Sequence, residues 1–74
     1  MHDFVLRLPI KLSQFLKLAN LAENGAHAKE LIHSEFVQVN GEVETRAAHP
    51  LNHGDKVTIY DGRNNPVTLR VVSE

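Results

Sequence analysis

The dipeptide Asn40-Gly41 is the feature that most constrains what this chain can fold into. It lies between Val37-Gln38-Val39 and Glu42-Val43, so apolar and polar residues alternate on both sides of it. Asn-Gly readily occupies a type I′ turn, because both central residues of that turn need a positive φ. The sequence therefore predicts a tight β-hairpin at this point.

Two short helices are predicted before the hairpin. Helix 1 is expected over residues 13 to about 21, with Ser13 as its N-cap and a buried stripe at helical spacing formed by Leu12, Phe15, Leu16 and Ala19. Helix 2 is expected over residues 25 to about 34, after the N-cap Asn24, with an apolar face formed by Ala28, Leu31 and Ile32. Glu35 would project into that apolar face, so helix 2 should end at or just before it.

Strands are predicted at both ends of the chain. Residues 4–8 alternate weakly and end at a proline, which is typical of a short edge strand or an extended arm. Residues 56–60 and 67–72 are the last two strands, after a Gly54-Asp55 turn and joined across the turn residues 61–66. The predicted fold class is α+β, with two helices packed on a small, bent antiparallel sheet.

The composition favours one small domain over residues 1–74. The chain has 74 residues and no cysteine, so its core must form without disulfides or thiolate metal sites. The first residues of the chain do not combine a basic segment with a long apolar stretch after it. We therefore expect neither a signal peptide nor a membrane span. These features predict a cytoplasmic protein.

A resemblance to a known family covers the segment 11–57. The fragments that carry it, in the expected order and spacing, are Lys11-Leu12-Ser13, Ala28-Lys29-Glu30-Leu31-Ile32, Val37-Gln38-Val39-Asn40-Gly41 and Gly54-Asp55. In this pattern the chain resembles the RNA-binding domain, or alpha-L motif, first recognised in small-subunit ribosomal protein S-four. RNA pseudouridine synthases and bacterial tyrosyl-tRNA synthetases share that domain. The resemblance implies a module that binds ribosomal RNA or a tRNA-like stem and is associated with the ribosome or with translation.

The chain departs from the family pattern at two places. Asn24-Gly25 stands where the family has a Ser-Arg pair, so the usual phosphate-gripping arginine is absent. Glu35 stands where a glycine usually ends helix 2, at a cost of roughly 1–2 kcal/mol if a left-handed conformation is kept. The segments 25–29 and 42–46 resemble the variant found in very small standalone members, the YbcJ-like proteins.

A local basic patch is needed for RNA binding, because the formal net charge is only −1. Gly25 would let a phosphate approach the start of helix 2, where free N–H groups and the positive end of the dipole favour an anion. The predicted RNA-binding residues are Lys11, Lys17, Gly25, His27, Lys29, His33, Arg46 and His49. Such a patch would read the phosphates and shape of folded RNA rather than its base sequence.

Metal binding and catalysis are disfavoured by the residues available. His49 and His53 are four residues apart, but they lie in a predicted loop without a cysteine or an obvious third ligand nearby. The chain has no cysteine nucleophile, no Gly-x-Ser-x-Gly elbow and no phosphate-binding Gly-Lys-Ser or Gly-Lys-Thr loop. We therefore expect a monomeric, non-catalytic protein without cofactor or metal.

A ubiquitin-like protein-interaction module without RNA binding is the alternative reading. Such a module can also contain a Val-Asn-Gly turn and a late Gly-Asp turn. The ending Val71-Val72-Ser73-Glu74 lacks the Gly-Gly terminus of sulfur carriers, so only a docking role would remain. Two helices ahead of the hairpin also disfavour this fold, which begins with a hairpin followed by a single helix.

Overall fold

The computed structural model describes residues 2–7, 9–60 and 66–73, except for the side chains of His2, Phe4 and Leu6. Its elements in chain order are β1 (His2–Leu6), β2 (Ile10–Lys11), α1 (Leu12–Leu18), α2 (Gly25–His33), β3 (Val37–Val39), β4 (Glu42–Val43), β5 (Pro50–Leu51), β6 (Lys56–Ile59) and β7 (Val67–Ser73). The predicted α+β class is confirmed, and the two consecutive helices precede the hairpin, unlike the order of a ubiquitin-like fold. Residues 61–65 of the predicted turn over residues 61–66, which include Arg63, lie outside the described residues. Leu8, the last residue of the predicted strand 4–8, also lies outside them.

The central hairpin forms where the sequence predicts it. Val39 pairs with Glu42, which leaves Asn40 and Gly41 as the two turn residues. Their φ angles are 54° and 87°, so both occupy the left-handed region that a type I′ turn requires. The prediction from the Asn-Gly pair is confirmed.

The asparagine side chain also joins this hairpin to the second predicted turn. Asn40 Nδ2 donates to Asp55 Oδ1 at 3.1 Å, and its Oδ1 accepts from the Lys56 N–H at 2.9 Å. The other carboxylate oxygen of Asp55 accepts from the Asn52 N–H at 2.8 Å, which closes the Gly54-Asp55 turn. The two turns therefore support each other, whereas the sequence indicated only separate turn residues.

Helix α2 ends just before Glu35, as predicted, with His33 as its last residue and Ser34 as its C-cap. Glu35 has a φ of 67°, its N–H donates to the Ile32 carbonyl at 3.1 Å, and the Phe36 N–H donates to the Leu31 carbonyl at 3.2 Å. This pair of hydrogen bonds defines a Schellman motif, which usually carries glycine at the left-handed position. The glutamate therefore adopts the left-handed backbone that usually carries glycine, at a cost of about 1 kcal/mol or more.

Helix α1 is shorter than predicted and begins differently. It spans Leu12–Leu18 rather than residues 13–21, because Asn20 turns left-handed with a φ of 61° and ends it. The prediction of Ser13 as the N-cap is wrong. Lys11 occupies the cap position, and the N–H groups of Leu12 and Ser13 donate to carbonyls of residues 49 and 47 at 2.9 and 3.1 Å. Backbone carbonyl groups between β4 and β5 thus accept the hydrogen bonds that a capping side chain would otherwise accept.

The main sheet has the strand order β1-β7-β6-β3-β4. Its four strands after the helices pair antiparallel, as predicted, but β1 pairs parallel to β7. The amphipathic pattern of a single strand does not specify which partner it finds or in which direction, so this pairing was not predicted. Asp3 and Arg70 face each other across it and form a bidentate ion pair at 2.9 and 3.0 Å.

A single apolar core lies between the helices and one face of this sheet. Its fully buried members include Leu12, Phe15, Leu16, Ala28, Ile32, Val37, Leu51, Val57 and Val71. Each large side chain among them contributes about 1.5–3 kcal/mol by leaving water. The short β2–β5 pair brings Leu51 into this core and places Lys11 opposite Pro50. No helix in the described parts of the chain is long and apolar enough to cross a bilayer.

Candidate nucleic-acid interface

The start of helix α2 offers unused backbone donors. Asn24 is its N-cap, as predicted, and the Asn24 Oδ1 accepts from the His27 N–H at 2.8 Å. The N–H groups of Gly25 and Ala26 have no acceptor among the described residues. A Cβ built on Gly25 would meet nothing within 4 Å, so the space above these donors is open. The geometry suits an approaching anion.

The side chain of His27 accepts a hydrogen bond that stabilises the turn before α2. Its Nδ1 accepts from the Glu23 N–H at 3.0 Å, which holds the loop before α2 against the helix. Nδ1 must therefore keep its lone pair, and only Nε2 remains as a donor toward a ligand. The sequence did not indicate this bond, because the sequence pattern shows no sign of which side chain reaches back across a cap.

Lys29 and His33 continue one line along α2 from Gly25. These three residues are spaced by four, so they lie one above another on the helix surface. The side chains of Lys29 and His33 are exposed, while Ala28 and Ile32 face the core. Glu30 is exposed beside this line and reduces the local positive charge. The structure thus brings together the predicted residues of α2.

Two further lysines border helix α1. Lys11 lines a shallow depression of about 260 Å³ with Pro9, Ile10, Gln14, Ala48 and Pro50. Lys17 lines an adjoining depression of about 220 Å³, which shares Ile10 and Gln14 with the first. The two depressions form a continuous apolar groove along α1, with one lysine at each of its two parts. We call it the α1 groove.

The side chains of Lys11, Lys17 and Lys29 are not held by carboxylates. None of them takes part in an ion pair within the described residues, and all three are exposed. An exposed ammonium group is strongly hydrated and contributes little to folding. Each can therefore turn toward an incoming phosphate without first losing a partner inside the protein.

Arg46 and His49 differ from these lysines because both contact the carboxylate of Glu44. Arg46 Nε lies 3.2 Å from Glu44 Oε2, and the Arg46 N–H donates to the same oxygen at 3.0 Å. His49 Nδ1 lies 3.1 Å from Glu44 Oε1 and 3.2 Å from Arg46 Nη2. With a proton, Nδ1 donates to Glu44, and without one it accepts from Arg46. The sequence indicated Arg46 and His49 as RNA-binding residues, but it did not indicate that Glu44 lies between them.

The charges in this cluster reinforce each other. The side-chain hydrogen bond from Arg46 is the main cause that lowers the pKa of Glu44, and the Arg46 backbone N–H and the nearby charge of His49 add to it. The same hydrogen bond raises the pKa of Arg46. Glu44 is therefore ionised at neutral pH and neutralises part of the positive charge expected here. The side chain of Arg46 is still 73% exposed, so its outer edge can be reached from solvent.

The predicted residues do not all converge on one patch. Lys11, Arg46 and His49 lie together at the start of α1, because β2 pairs with β5 and the Leu12 N–H bonds to the His49 carbonyl. Gly25, His27, Lys29 and His33 form a second group on α2, and the two helices pack against each other. Lys17 lies at the end of α1, on the groove that leads away from the first group.

The two histidines considered for a metal have separate partners. His49 faces Glu44, whereas His53 Nδ1 accepts from the Ser73 N–H at 2.9 Å. No group of three histidine or carboxylate ligands is assembled within residues 2–7, 9–60 and 66–73. The residues that the structure describes therefore do not fit a metal site.

Comparisons with known proteins agree with this architecture. A sequence profile of the S4 domain matches residues 7–68. The solution structure of YbcJ from E. coli is similar, with 34% identity and a TM-score of 0.68 over 97% of this chain and 87% of the other. YbcJ is described as having an alpha-L motif involved in RNA-binding.

A more distant structure shares the fold only. Heat Shock Protein 15 from Vibrio cholerae, a trimer in its crystal structure, matches with a TM-score of 0.73 and 18% identity. The match covers 82% of this chain and spans 60% of that protein's length. No curated protein sequence matches the chain. The profile match and the YbcJ relationship together establish that this chain belongs to the S4 domain family.

Proposed function

We propose that this protein is a non-catalytic module that binds structured RNA through its phosphates and shape. The observation that carries the proposal is membership of the S4 domain family together with the relationship to YbcJ, whose alpha-L motif is involved in RNA-binding. The proposed RNA is a ribosomal or tRNA-like stem. A monomer acting in the cytoplasm on the ribosome or in translation fits this role.

The three unpaired lysines are the first contacts in the proposal. Lys11, Lys17 and Lys29 can each neutralise a phosphate directly, because no carboxylate competes for them within the described chain. Arg46 and His49 join only if a phosphate replaces Glu44, which now occupies the inner side of the Arg46 guanidinium. The proposed surface is therefore more reliant on lysine than the sequence alone suggested.

A phosphate at the start of α2 is the second element. The N–H groups of Gly25 and Ala26, which have no acceptor among the described residues, lie at the helix start, where the helix dipole favours negative charge. Lys29 lies one turn further along the same line. These donors take over the role of the arginine that the family usually carries and this chain lacks.

Binding to a labelled, blunt-ended RNA hairpin at several salt concentrations tests the proposal. The logarithm of the binding constant should fall linearly with the logarithm of salt, by roughly 0.9 for each phosphate neutralised. Lys29→Ala should weaken binding and make that slope shallower by about one unit. Arg46→Ala should have a smaller effect because Glu44 already engages the arginine.

Lys56→Ala is the matched control, since Lys56 is also exposed but lies on the sheet face that turns away from the core. It should leave binding to the blunt hairpin unchanged. Binding that ignores salt, or a Lys29→Ala variant that behaves like the control, would contradict the assigned surface.

A further inference from the structure

The sheet has a second face that no element covers in the described structure. Val37, Val57 and Val71 point into the core, so their strand neighbours point the opposite way. We call the surface formed by these neighbours the outer face. Its residues are Asp3, Val5, Phe36, Gln38, Val43, Lys56, Thr58, Tyr60, Thr68, Arg70 and Val72. It lies opposite the helices that carry the proposed phosphate contacts.

Two aromatic rings lie side by side on this face. Val37 pairs with Ile59, so Phe36 and Tyr60 are the next residues opposite each other, and the Tyr60 N–H donates to the Phe36 carbonyl at 2.8 Å. Residues paired in this way have Cα atoms about 5.5 Å apart, with side chains on the same face. Phe36 is 42% exposed and Tyr60 is 38% exposed. An apolar surface of two adjacent rings is thus open to a planar partner.

The surroundings of the rings are polar and slightly basic. The amide of Gln38 is half-buried beside them and makes no hydrogen bond within the described residues. Lys56 begins β6 and Tyr60 directly follows its last residue, about 13 Å further along the chain. The only carboxylate among the described outer-face residues is Asp3, which Arg70 engages. Lys56 is therefore the outer-face cation that no carboxylate engages within the described residues, and it can contact an anionic partner.

A second copy of this chain would have to bury polar side chains on this face. A stable interface buries about 800 Å² on each partner, roughly a sixth of the 4792 Å² that this chain exposes. Here the aromatic pair is bordered by Gln38, Thr58 and Thr68, and the two threonine hydroxyls bond to each other at 2.9 Å. Such a combination of two aromatic residues, an amide without a hydrogen-bond partner among the described residues and a cation on the same face suits nucleotides, whose bases offer stacking faces and polar edges and whose backbone carries phosphates.

We propose that the part of the outer face around Phe36 and Tyr60 binds unpaired nucleotides, with bases stacking on these two residues while Lys56, at the start of β6, contacts a phosphate. This inference rests on the proposed RNA-binding function and narrows its substrate to a stem with a single-stranded extension. The stem occupies the helical surface, and the extension continues around the domain onto the sheet. Gln38 is placed to bond to a base edge between the rings and the lysine.

The experiment compares two labelled RNA hairpins that share one stem, one blunt and one with a tail of six adenosines. Anisotropy gives the binding constants for the wild type, for Tyr60→Leu combined with Phe36→Leu, and for Tyr60→Phe. Val43→Ala is the matched control, because Val43 is exposed on the same face but is not aromatic. Tyr60 is the chain's only tyrosine and there is no tryptophan, so intrinsic emission reports on this residue alone.

For the wild type, the tail should strengthen binding by about fivefold or more, the low end of what one stacked base contributes. The tail should also quench the Tyr60 emission. The double variant should lose the gain from the tail but still bind the blunt hairpin, while Tyr60→Phe and Val43→Ala should keep it. Circular dichroism confirms that each variant is folded.

Each other outcome overturns a distinct claim. Equal binding of both hairpins by the wild type removes the stacking proposal and leaves the helical surface intact. A gain from the tail that survives in the double variant places the unpaired bases elsewhere. Binding of neither hairpin at low salt refutes the proposed function itself. Quenching of Tyr60 that grows with protein concentration in the absence of RNA would instead identify the outer face as a contact between copies.

Discussion

Replacing Gly25 with alanine separates what this position does for folding from what it does for binding. A Cβ at this position would meet nothing within 4 Å, and Gly25 is not among the residues with a positive φ. Neither a close contact nor the backbone conformation within the protein therefore calls for glycine. Under the proposed function, the absence of a side chain at Gly25 gives a phosphate access to the N–H groups of Gly25 and Ala26, which have no acceptor among the described residues.

The expected effect of Gly25→Ala on stability is a small gain. Inside a helix, alanine is preferred over glycine by about 0.5–1 kcal/mol, and the first helical position should realise roughly half of that. For a domain of this size, about 0.5 kcal/mol corresponds to a rise of about 2–4 °C in the unfolding temperature. Thermal unfolding followed by circular dichroism measures it.

The expected effect on binding has the opposite sign. The new methyl group fills the space through which a phosphate would reach the Gly25 and Ala26 donors, so affinity for the blunt hairpin should fall. The salt slope should become shallower by about 0.9 if one phosphate contact is lost. Ser34→Ala, at the exposed C-cap of α2 and away from the helix start, is the control and should leave binding unchanged. A more stable variant that binds RNA as well as the wild type would refute a phosphate site at this helix start.

Three further substitutions test other parts of the structure. Asn40→Gly keeps the positive φ but removes both side-chain bonds to the second turn, and should lower the free energy of unfolding in urea by about 1–2 kcal/mol. An unchanged free energy of unfolding would mean that the hydrogen bond between Asn40 and Asp55 does not stabilise the protein. Glu35→Gly relieves the left-handed glutamate and should raise that free energy by about 1 kcal/mol, whereas a loss would show that the side chain has an unrecognised stabilising role. Glu44→Gln frees Arg46 and should strengthen binding to the blunt hairpin about two- to fivefold, and an unchanged affinity would exclude Arg46 from the contact surface. In the wild type the Glu44 pKa is lowered, so its ion pair is fully present above the usual value of 4.5 and is lost as pH falls through the lower folded value, which carboxylate NMR can follow.

Local features of this fold could be read from the sequence because neighbouring residues cause them. The hairpin follows from two residues that accept positive φ, and the α2 boundaries follow from Asn24 and Glu35. Each of these elements forms through bonds within a few residues of chain. The spacing of the apolar residues likewise identified the core faces of both helices.

Features that depend on distant parts of the chain could not be read in the same way. The parallel pairing of β1, the backbone bonds that cap α1 and the contact between Asn40 and Asp55 each join segments that are remote in sequence. For the candidate site, the sequence identified the cationic residues but not their partners. The sequence pattern gives no sign that Glu44 contacts Arg46 and His49, because these contacts exist only where the connection folds back.

The position of β1 has a kinetic consequence. Its ion pair joins residues that are 67 positions apart, so the loop that must close is far longer than the hairpin or either helix end. Contacts of that separation are formed only after most of the chain entropy has been lost, while nearby contacts form early. We therefore expect β1 to dock last when the domain folds and to detach first when it opens.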